Sequence, residues 1–336
     1  MKRVKRLFAC LLALTMMLGL SATAFAAGAV KLSDVSSVKI NKCYYLKGEG
    51  ESPAETFTFE VTKVSVANSE NTVKNMPEIK GFDIAYAKGD ATTAGTQKNH
   101  MLELPGVKDF KRPGVYTYNI TEKKGNTAGV KYDEGKVQLI VTVSYDENGN
   151  LIRTVALRKG DSKLGDSNNA FENTYIANKL SIKKIVAGNL GDKSRAFDFK
   201  VELKKTSEDY TKTSCTVQGG SGEYANVRKF DSLPESIYIS LKHGETITIE
   251  NLPKGVEYTV TETSGDDYTT TVGSDTTKTT TGTMDEKAKT VEFTNKKQND
   301  NIDTGVYLDN LPYILVFAGV LAIAAVFVVR RRRFED

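Results

Sequence analysis

One lysine, one glutamate and one asparagine occur twice, in the same order, on strand-like segments of this 336-residue chain. In the first copy they are Lys42, Glu122 and Asn173, and each lies two positions after an apolar residue, which is Ile40, Ile120 and Phe171 respectively. Because alternate residues of a strand point to one face, each of the three is predicted to point into the core with its apolar neighbours. Burying charged side chains is costly unless they pair or lose their charge, so these positions call for a chemical explanation.

The second copy has the same residue types at Lys184, Glu262 and Asn295. Lysine and glutamate are 80 positions apart in the first copy and 78 apart in the second. The flanking residues repeat as well, since Gly-Val-Tyr-Thr-Tyr-Asn-Ile-Thr-Glu at 114–122 matches Gly-Val-Glu-Tyr-Thr-Val-Thr-Glu at 255–262. The chain is therefore predicted to contain two copies of one structural unit.

These three residue types can form an amide cross-link. A neutral lysine amine attacks the asparagine carboxamide, ammonia leaves, and the two side chains become covalently joined. Burial favours the neutral amine by lowering the pKa of lysine, and it favours a protonated glutamic acid, which can polarise the carbonyl and carry protons. Packing the reactants side by side supplies a high effective concentration. The alternative is a buried Lys–Glu ion pair whose hydrogen bonds are completed by the asparagine.

The segments that position these residues are predicted to be strands. Period-2 alternation dominates the chain, as in Phe57, Phe59 and Val61, and no stretch has convincing helical spacing. Many short strands joined by Gly-, Asn- and Asp-rich turns favour an all-β fold with two tandem immunoglobulin-like sandwiches. Of the 3 cysteines, one lies in the leader, and Cys43 and Cys215 lie in different copies, so a disulfide framework is not expected.

Both ends of the chain carry export and anchoring signals. Residues 1–26 combine early basic residues, a short apolar stretch and a small-x-small site, which indicates a signal peptide cleaved after Ala26. The uncharged apolar run 311–329, followed by arginines, is typical of a membrane anchor with a cytoplasmic tail. The predicted organisation is a signal peptide at 1–26, a first sandwich at 27–175, a second at 176–297, a stalk with a sorting signal at 298–305, and a transmembrane helix with a basic tail at 306–336.

On these motifs the chain resembles the two-domain major pilins of streptococci and, more distantly, the B-type repeats of collagen adhesins. The resemblance extends over residues 38–297 and includes Phe-Thr-Asn-Lys-Lys at 293–297. In that family a lysine on the first strand is joined to an asparagine on the last, with a glutamate as catalyst. Carried over here, this implies two autocatalytic isopeptide bonds: Lys42–Asn173 with Glu122, and Lys184–Asn295 with Glu262. Lys39 and Lys47 are alternatives to Lys42.

Family members also carry a Leu-Pro-x-Thr-Gly sorting signal, at which a sortase thiol attacks the threonine carbonyl and an amine then takes the acyl group. The matching window here is 301–305, where Thr304 and Gly305 are present but an Asn-Ile pair replaces Leu-Pro. In pilus backbones the amine comes from a lysine of the next subunit. By resemblance the candidate is Lys163, at the end of a Gly-Asp-Ser-Lys sequence, with Lys159 as a nearby alternative.

The sequence therefore predicts a secreted, sortase-assembled pilin of a Gram-positive cell wall, transiently anchored in the membrane, and most simply a backbone subunit. Expected partners are a sortase, identical subunits and peptidoglycan, with minor pilins and host ligands as further candidates. The alternative is a monomeric wall-anchored adhesin that uses the same domains as a stalk or a ligand-binding module. No enzyme activity, cofactor, metal site or nucleic-acid binding is expected, because the sequence has no metal-ligand cluster, nucleophile elbow, phosphate loop or basic patch.

Overall fold

Strands dominate the computed structural model, which describes residues 33–299 together with Val320, and the all-β prediction is confirmed. One-turn 3-10 helices lie between strands at Val73–Asn75, Val107–Phe110 and Gly222–Tyr224. Among the described residues, no helix combines the length and the apolar character needed to cross a membrane.

Several predicted features lie outside the described residues. They are the signal peptide at 1–26, the sorting residues Thr304 and Gly305 and, apart from Val320, the apolar run 311–329. They stay predictions.

The first part of the chain forms a sandwich of two sheets around an aromatic-rich core. Its strands are β1 (Ser37–Gly48), β2 (Glu55–Ala67), β3 (Phe82–Tyr86), β4 (Thr96–Glu103), β5 (Gly114–Glu122), β6 (Val130–Lys131), β7 (Lys136–Tyr145), β8 (Leu151–Lys159), β9 (Ser162–Leu164) and the first part of β10 (Phe171–Ala187). One sheet has the order β3-β2-β5-β7-β8-β9, and the facing sheet has the order β4-β1-β10-β6. Edge-to-face contacts among Tyr44, Phe57 and Tyr86 fill the space between the sheets.

The second part forms another sandwich with its own core. Its strands are the remainder of β10, β11 (Phe197–Lys204), β12 (Cys215–Gly219), β13 (Arg228–Phe230), β14 (Ser236–Leu241), β15 (Thr246–Pro253), β16 (Glu257–Glu262), β17 (Thr269–Val272), β18 (Asp275–Thr276), β19 (Thr279–Thr283) and β20 (Lys289–Lys296). The sheet β14-β11-β16-β19 faces the sheet β13-β12-β15-β10-β20-β17-β18. Cys43 and Cys215, the cysteines of the described residues, are buried in different sandwiches and are not bonded to each other.

A single uninterrupted strand joins the two sandwiches. β10 pairs in parallel with β1 at residues 171–177 and in parallel with β20 at residues 180–187. The predicted boundary between residues 175 and 176 thus lies inside a strand, and no loop separates the two cores there. Side chains also cross the junction, since Lys212 of the second sandwich lies 3.6 Å from the buried Glu55 carboxylate of the first.

Candidate functional site

The first three candidate residues come together in the core of the first sandwich. Lys42 on β1 is the parallel partner of Phe171 on β10, two residues before Asn173. Glu122 on β5 pairs with Phe59 on β2 and reaches the other two from the facing sheet. We call Lys42, Glu122 and Asn173 the first cluster.

The second sandwich reproduces these registers. Lys184 on β10 is the parallel partner of Phe293 on β20, two residues before Asn295. Glu262 on β16 pairs with Phe199 on β11, as Glu122 pairs with Phe59. We call Lys184, Glu262 and Asn295 the second cluster. Strand β10 therefore supplies the asparagine of one cluster and the lysine of the other.

In each cluster the glutamate carboxylate bridges the other two side chains. In the first, Lys42 Nζ donates to Glu122 Oε2 at 2.8 Å, and Asn173 Nδ2 donates to Glu122 Oε1 at 2.5 Å. The corresponding distances in the second cluster are 2.9 and 2.5 Å. The lysine and glutamate side chains and both asparagines are fully buried. Each cluster is thus a buried ion pair in direct contact with a carboxamide.

Aromatic rings line the lysine side of both clusters. Lys42 Nζ lies 4.0 Å from the centroid of the Phe57 ring, and Lys184 Nζ lies 4.4 Å from that of Phe197. These phenylalanines hold equivalent positions on β2 and β11. A ring face offers a cation less stabilisation than water does, so it favours loss of the proton.

Burial shifts the acid–base equilibria of both clusters. It lowers the pKa of Lys42, although attraction by Glu122 opposes the shift. It also lowers the pKa of Lys184 to about 8, against the opposing hydrogen bond with Glu262. Burial raises the pKa of Glu122, although the charge of Lys42 opposes this. These directions favour a neutral amine, and in the first cluster a protonated acid, beside the carboxamide.

The alternatives to Lys42 lie on the surface. Lys39 is exposed on β1, one position before the buried Ile40 and therefore on the opposite face. The Lys47 side chain is 55% exposed and pairs with Glu286 at 2.6 Å. Lys42 is therefore the lysine of β1 that reaches the core.

The two lysines considered as acceptors of the next subunit differ in their surroundings. Lys163 lies exposed on β9, at the edge of the six-stranded sheet. The Lys159 ammonium instead donates to Asp133 Oδ2 at 2.8 Å and to the Ala170 carbonyl at 2.9 Å. Lys163 is thus the more accessible amine.

The loops that enclose the two clusters differ from each other. The internal sequence repeat, which identified the clusters, gave no sign of these loops. At the first cluster the backbone N–H of Asp133 donates to Asn173 Oδ1 at 2.8 Å. At the second cluster Asn295 Oδ1 has no hydrogen-bond partner among residues 33–299. Gly265 approaches so closely there that a Cβ would lie 2.8 Å from Asn295 Nδ2. Neither loop is repeated, so comparing the two copies could not reveal these contacts.

The arrangement can support amide formation between lysine and asparagine. The nucleophilic nitrogen and the carboxamide share one carboxylate, which can accept a proton from the first and return it to the second. The dry, close-packed surroundings hold the reactants together. No other reactant is needed, because the cluster itself contains the amine, the carboxamide and the proton carrier, and ammonia is the leaving group.

The chain is similar to known protein families over both sandwiches. A family model described as "Spy0128-like isopeptide containing domain" matches residues 38–176. A second, described as "Domain of unknown function (DUF7601)", matches residues 178–297. The two matches together span both sandwiches.

Individual relatives extend this likeness. The chain is 31% identical over 307 residues to a protein named "Pilin" from Streptococcus pyogenes serotype M1, covering 83% of this chain and 86% of that protein. It is 36% identical over 97 residues to "Pilus tip adhesin Cpa" of Streptococcus pyogenes, which is 29% of this chain and 13% of that protein. The crystal structure of the major pilin from Streptococcus pyogenes superposes with a TM-score of 0.52 at 26% identity, covering 79% of this chain and 99% of that one.

Proposed function

This chain belongs to the pilin family and is a pilus subunit, and from that premise we propose that it is a backbone subunit in which each sandwich is closed by one isopeptide bond. The observation that carries the proposal is the equivalence of the two clusters. In both, a glutamate on the facing sheet bridges a buried lysine and a buried asparagine. The bonds would join Lys42 to Asn173 and Lys184 to Asn295.

Each bond would form once. When the shared proton resides on the glutamate, lysine Nζ is neutral and attacks Cγ of the asparagine. The new N–C bond forms, the glutamate passes its proton to the carboxamide nitrogen and takes one from the attacking nitrogen, and ammonia leaves as the old C–N bond breaks. The lysine and the asparagine are consumed, so Glu122 and Glu262 serve single-turnover sites within a structural protein.

The cross-links would supply stability that residues 33–299 do not gain from disulfides. A bond between Lys184 and Asn295 closes a loop of roughly 110 residues, for which the chain-entropy model of cross-links gives about 4–5 kcal/mol. It also replaces a buried ion pair, whose desolvation offsets much of its attraction, by a neutral amide. The product suits a fibre exposed to mechanical extension and proteolysis.

Assembly would use two residues of the subunit, one as acyl donor and one as acceptor. Thr304 would form the acyl bond with a sortase, and Lys163 of the next subunit or peptidoglycan would accept it. Residues 306–336 would hold the precursor in the membrane until cleavage ahead of Gly305. The sandwiches at 27–175 and 176–297 would then stand on the cell surface. Similarity to a pilin over most of the chain supports polymerisation with identical subunits.

Intact mass spectrometry of the exported protein tests the cross-links. We expect a mass lower than the encoded one by two molecules of ammonia. The full encoded mass would contradict both bonds.

Cell-wall extracts test the assembly. We expect a ladder of covalent multimers that disappears in Thr304→Ala and Lys163→Arg variants. A ladder that persists with Lys163→Arg would reassign the acceptor lysine, with Lys159 as the next candidate.

A second candidate function is a wall-anchored adhesin that remains monomeric. The similarity of 97 residues to a protein named as a pilus tip adhesin favours it. A single anchored band in the wild-type extract, in place of the ladder, would support this function and exclude the backbone role.

A further inference from the structure

The contact between Asp133 and Asn173 fixes the direction of the first carboxamide. A backbone N–H can only donate, so the atom it meets at 2.8 Å is the oxygen Oδ1. The nitrogen Nδ2 then faces Glu122 Oε1, to which it donates. The carbonyl oxygen and the leaving nitrogen of Asn173 therefore face two different groups.

Several contacts hold Asp133 in this position. Its Oδ2 accepts hydrogen bonds from Lys159 Nζ at 2.8 Å and from the Glu172 N–H at 2.9 Å. Its Oδ1 accepts from the Gly135 N–H at 2.7 Å. Burial opposes ionisation, but these hydrogen bonds lower the pKa of Asp133 and keep it charged. The side chain thus ties the loop before β7 to β10, next to Asn173.

We propose that the Asp133 N–H is the oxyanion donor of the first cluster, and that the Asp133 carboxylate and Lys159 are the residues that position it. The inference rests on the cross-linking function proposed above. As Lys42 Nζ bonds to Asn173 Cγ, the carbonyl electron pair moves onto Oδ1. Negative charge therefore develops on the atom that already accepts the N–H, which is where a fixed donor stabilises a transition state most.

The same geometry assigns a narrower role to Glu122. Its two oxygens face Lys42 Nζ and Asn173 Nδ2, and the carbonyl oxygen is turned toward Asp133. Glu122, which is protonated while the amine is neutral, delivers its proton to Nδ2 and takes one from the attacking nitrogen. The Cγ–Nδ2 bond then breaks, the carbonyl re-forms and ammonia leaves. In the first cluster Glu122 is the proton shuttle, and polarisation of the carbonyl belongs to the backbone.

The second cluster supplies an internal control. The hydrogen bonds of Asp133 are made to first-sandwich residues, and Asn295 Oδ1 accepts none within the described residues, so changes at position 133 are expected to leave the reaction of Asn295 unaffected. Both bonds can be followed in one molecule. The full chain is made by cell-free synthesis and quenched in denaturant at intervals. The two cross-linked tryptic peptides are then quantified by mass spectrometry.

The direct test replaces residue 133 by the α-hydroxy acid analogue of aspartate. This exchange keeps the side chain and replaces the N–H by an ester oxygen. We expect the Lys42–Asn173 bond to form about 10²-fold more slowly, as for loss of one oxyanion-hole donor, and the Lys184–Asn295 bond to form at the wild-type rate. An unchanged rate for the first bond overturns the oxyanion assignment.

Two side-chain variants test whether the Asp133 carboxylate positions the N–H. They also keep the proposal testable if the ester variant does not fold. Asp133→Ala keeps the N–H but frees the loop, and we expect the first bond to slow by up to about 10²-fold. Asp133→Asn retains an acceptor oxygen for the Gly135 N–H but loses the bonds that Oδ2 accepts from Lys159 Nζ and the Glu172 N–H, so it is expected to restore only part of the rate. Equal rates for Asp133→Ala and wild type overturn the proposal.

A variant that cannot form the first bond separates the rate of folding from the rate of bond formation. The same substitutions in a Lys42→Met protein report whether the first sandwich itself folds more slowly. A folding rate that falls as much as the bond-formation rate overturns the positioning role. Absence of the Lys42–Asn173 bond in the wild-type protein would instead contradict the proposed function.

Discussion

The two sandwiches hold the same three reactive side chains in the same strand registers but enclose them differently. The loop over the first cluster places the Asp133 N–H on Asn173 Oδ1. The loop over the second brings Gly265 so close to Asn295 and Glu262 that a Cβ would not fit. Asn295 Oδ1 there has no hydrogen-bond partner among the described residues. The difference indicates that the strands determine which atoms meet, whereas each loop independently determines how the carboxamide is oriented.

The largest expected effect comes from removing each glutamate in turn. Glu262→Ala should leave Lys184 and Asn295 unlinked, because no group remains to carry the proton. The second sandwich should lose about 4–5 kcal/mol of cross-link stabilisation. It should lose further stability because the unlinked Lys184 amine stays buried without a partner. Intact mass should show one ammonia fewer lost than in the wild type, and chemical denaturation should report the weaker sandwich.

The matching Glu122→Ala variant serves as the control. It should weaken the first sandwich and leave the Lys184–Asn295 bond intact, which peptide mapping can show. Loss of both ammonia molecules in either variant would show that the glutamates are dispensable. Loss of both bonds in either variant would show that the clusters depend on each other.

A smaller effect should distinguish the two enclosing loops. Gly265 has φ +76°, and a Cβ there would lie 2.8 Å from Asn295 Nδ2 and 2.9 Å from Glu262 Oε1. Gly265→Ala should therefore displace the carboxamide and slow the second bond by up to about 10²-fold, while the first bond forms normally. Time-resolved peptide mapping measures both rates.

Gly273→Ala is the matched control for this substitution. Gly273 also has positive φ, +59°, but nothing lies within 4 Å of a Cβ built there. Both variants should lose about 1–2 kcal/mol from the left-handed backbone, yet only Gly265→Ala should delay the bond. Equal delays in the two variants would mean that backbone strain, and not contact with Asn295, governs the reaction.

The smallest effect concerns the pH dependence of an unlinked second sandwich. In an Asn295→Ala protein Lys184 cannot react, and burial lowers its pKa from 10.5 to about 8. Between these values the unfolded chain keeps the proton that the folded chain releases. The free energy of unfolding should therefore rise with pH, by at most about 1.4 kcal/mol per unit, and level off above 10.5.

Urea denaturation across this pH range measures the effect. A Lys184→Met, Asn295→Ala protein shows how much of the slope comes from other groups. Stability that falls with pH relative to this control would contradict a lowered pKa for the buried lysine.

Much of the candidate site follows from residue spacing alone. The placement of Lys42 beside Ile40 in the core is a consequence of two-residue alternation, and the repeat supports the same reading for Lys184. The continuity of β10 was also within reach, because residues 171–187 contain no glycine or proline that would end a strand. The contacts made by the loops could not be predicted from the sequence. The Asp133 contact, for example, is made by a backbone atom whose position depends on the loop conformation rather than on a residue type.

Strand β10 determines how tension would pass through an assembled fibre. In a subunit linked as proposed and pulled between Lys163 and Thr304, the covalent route would run from 163 to 184, cross the proposed second cross-link to Asn295 and leave toward 304. Residues 185–294 would form a closed side branch that bears no force. The residues before 163 would bear no force either. The first cross-link therefore lies off this route. The subunit would resist stretching through a single amide bond, while the other bond would protect the part of the first sandwich that lies off this route.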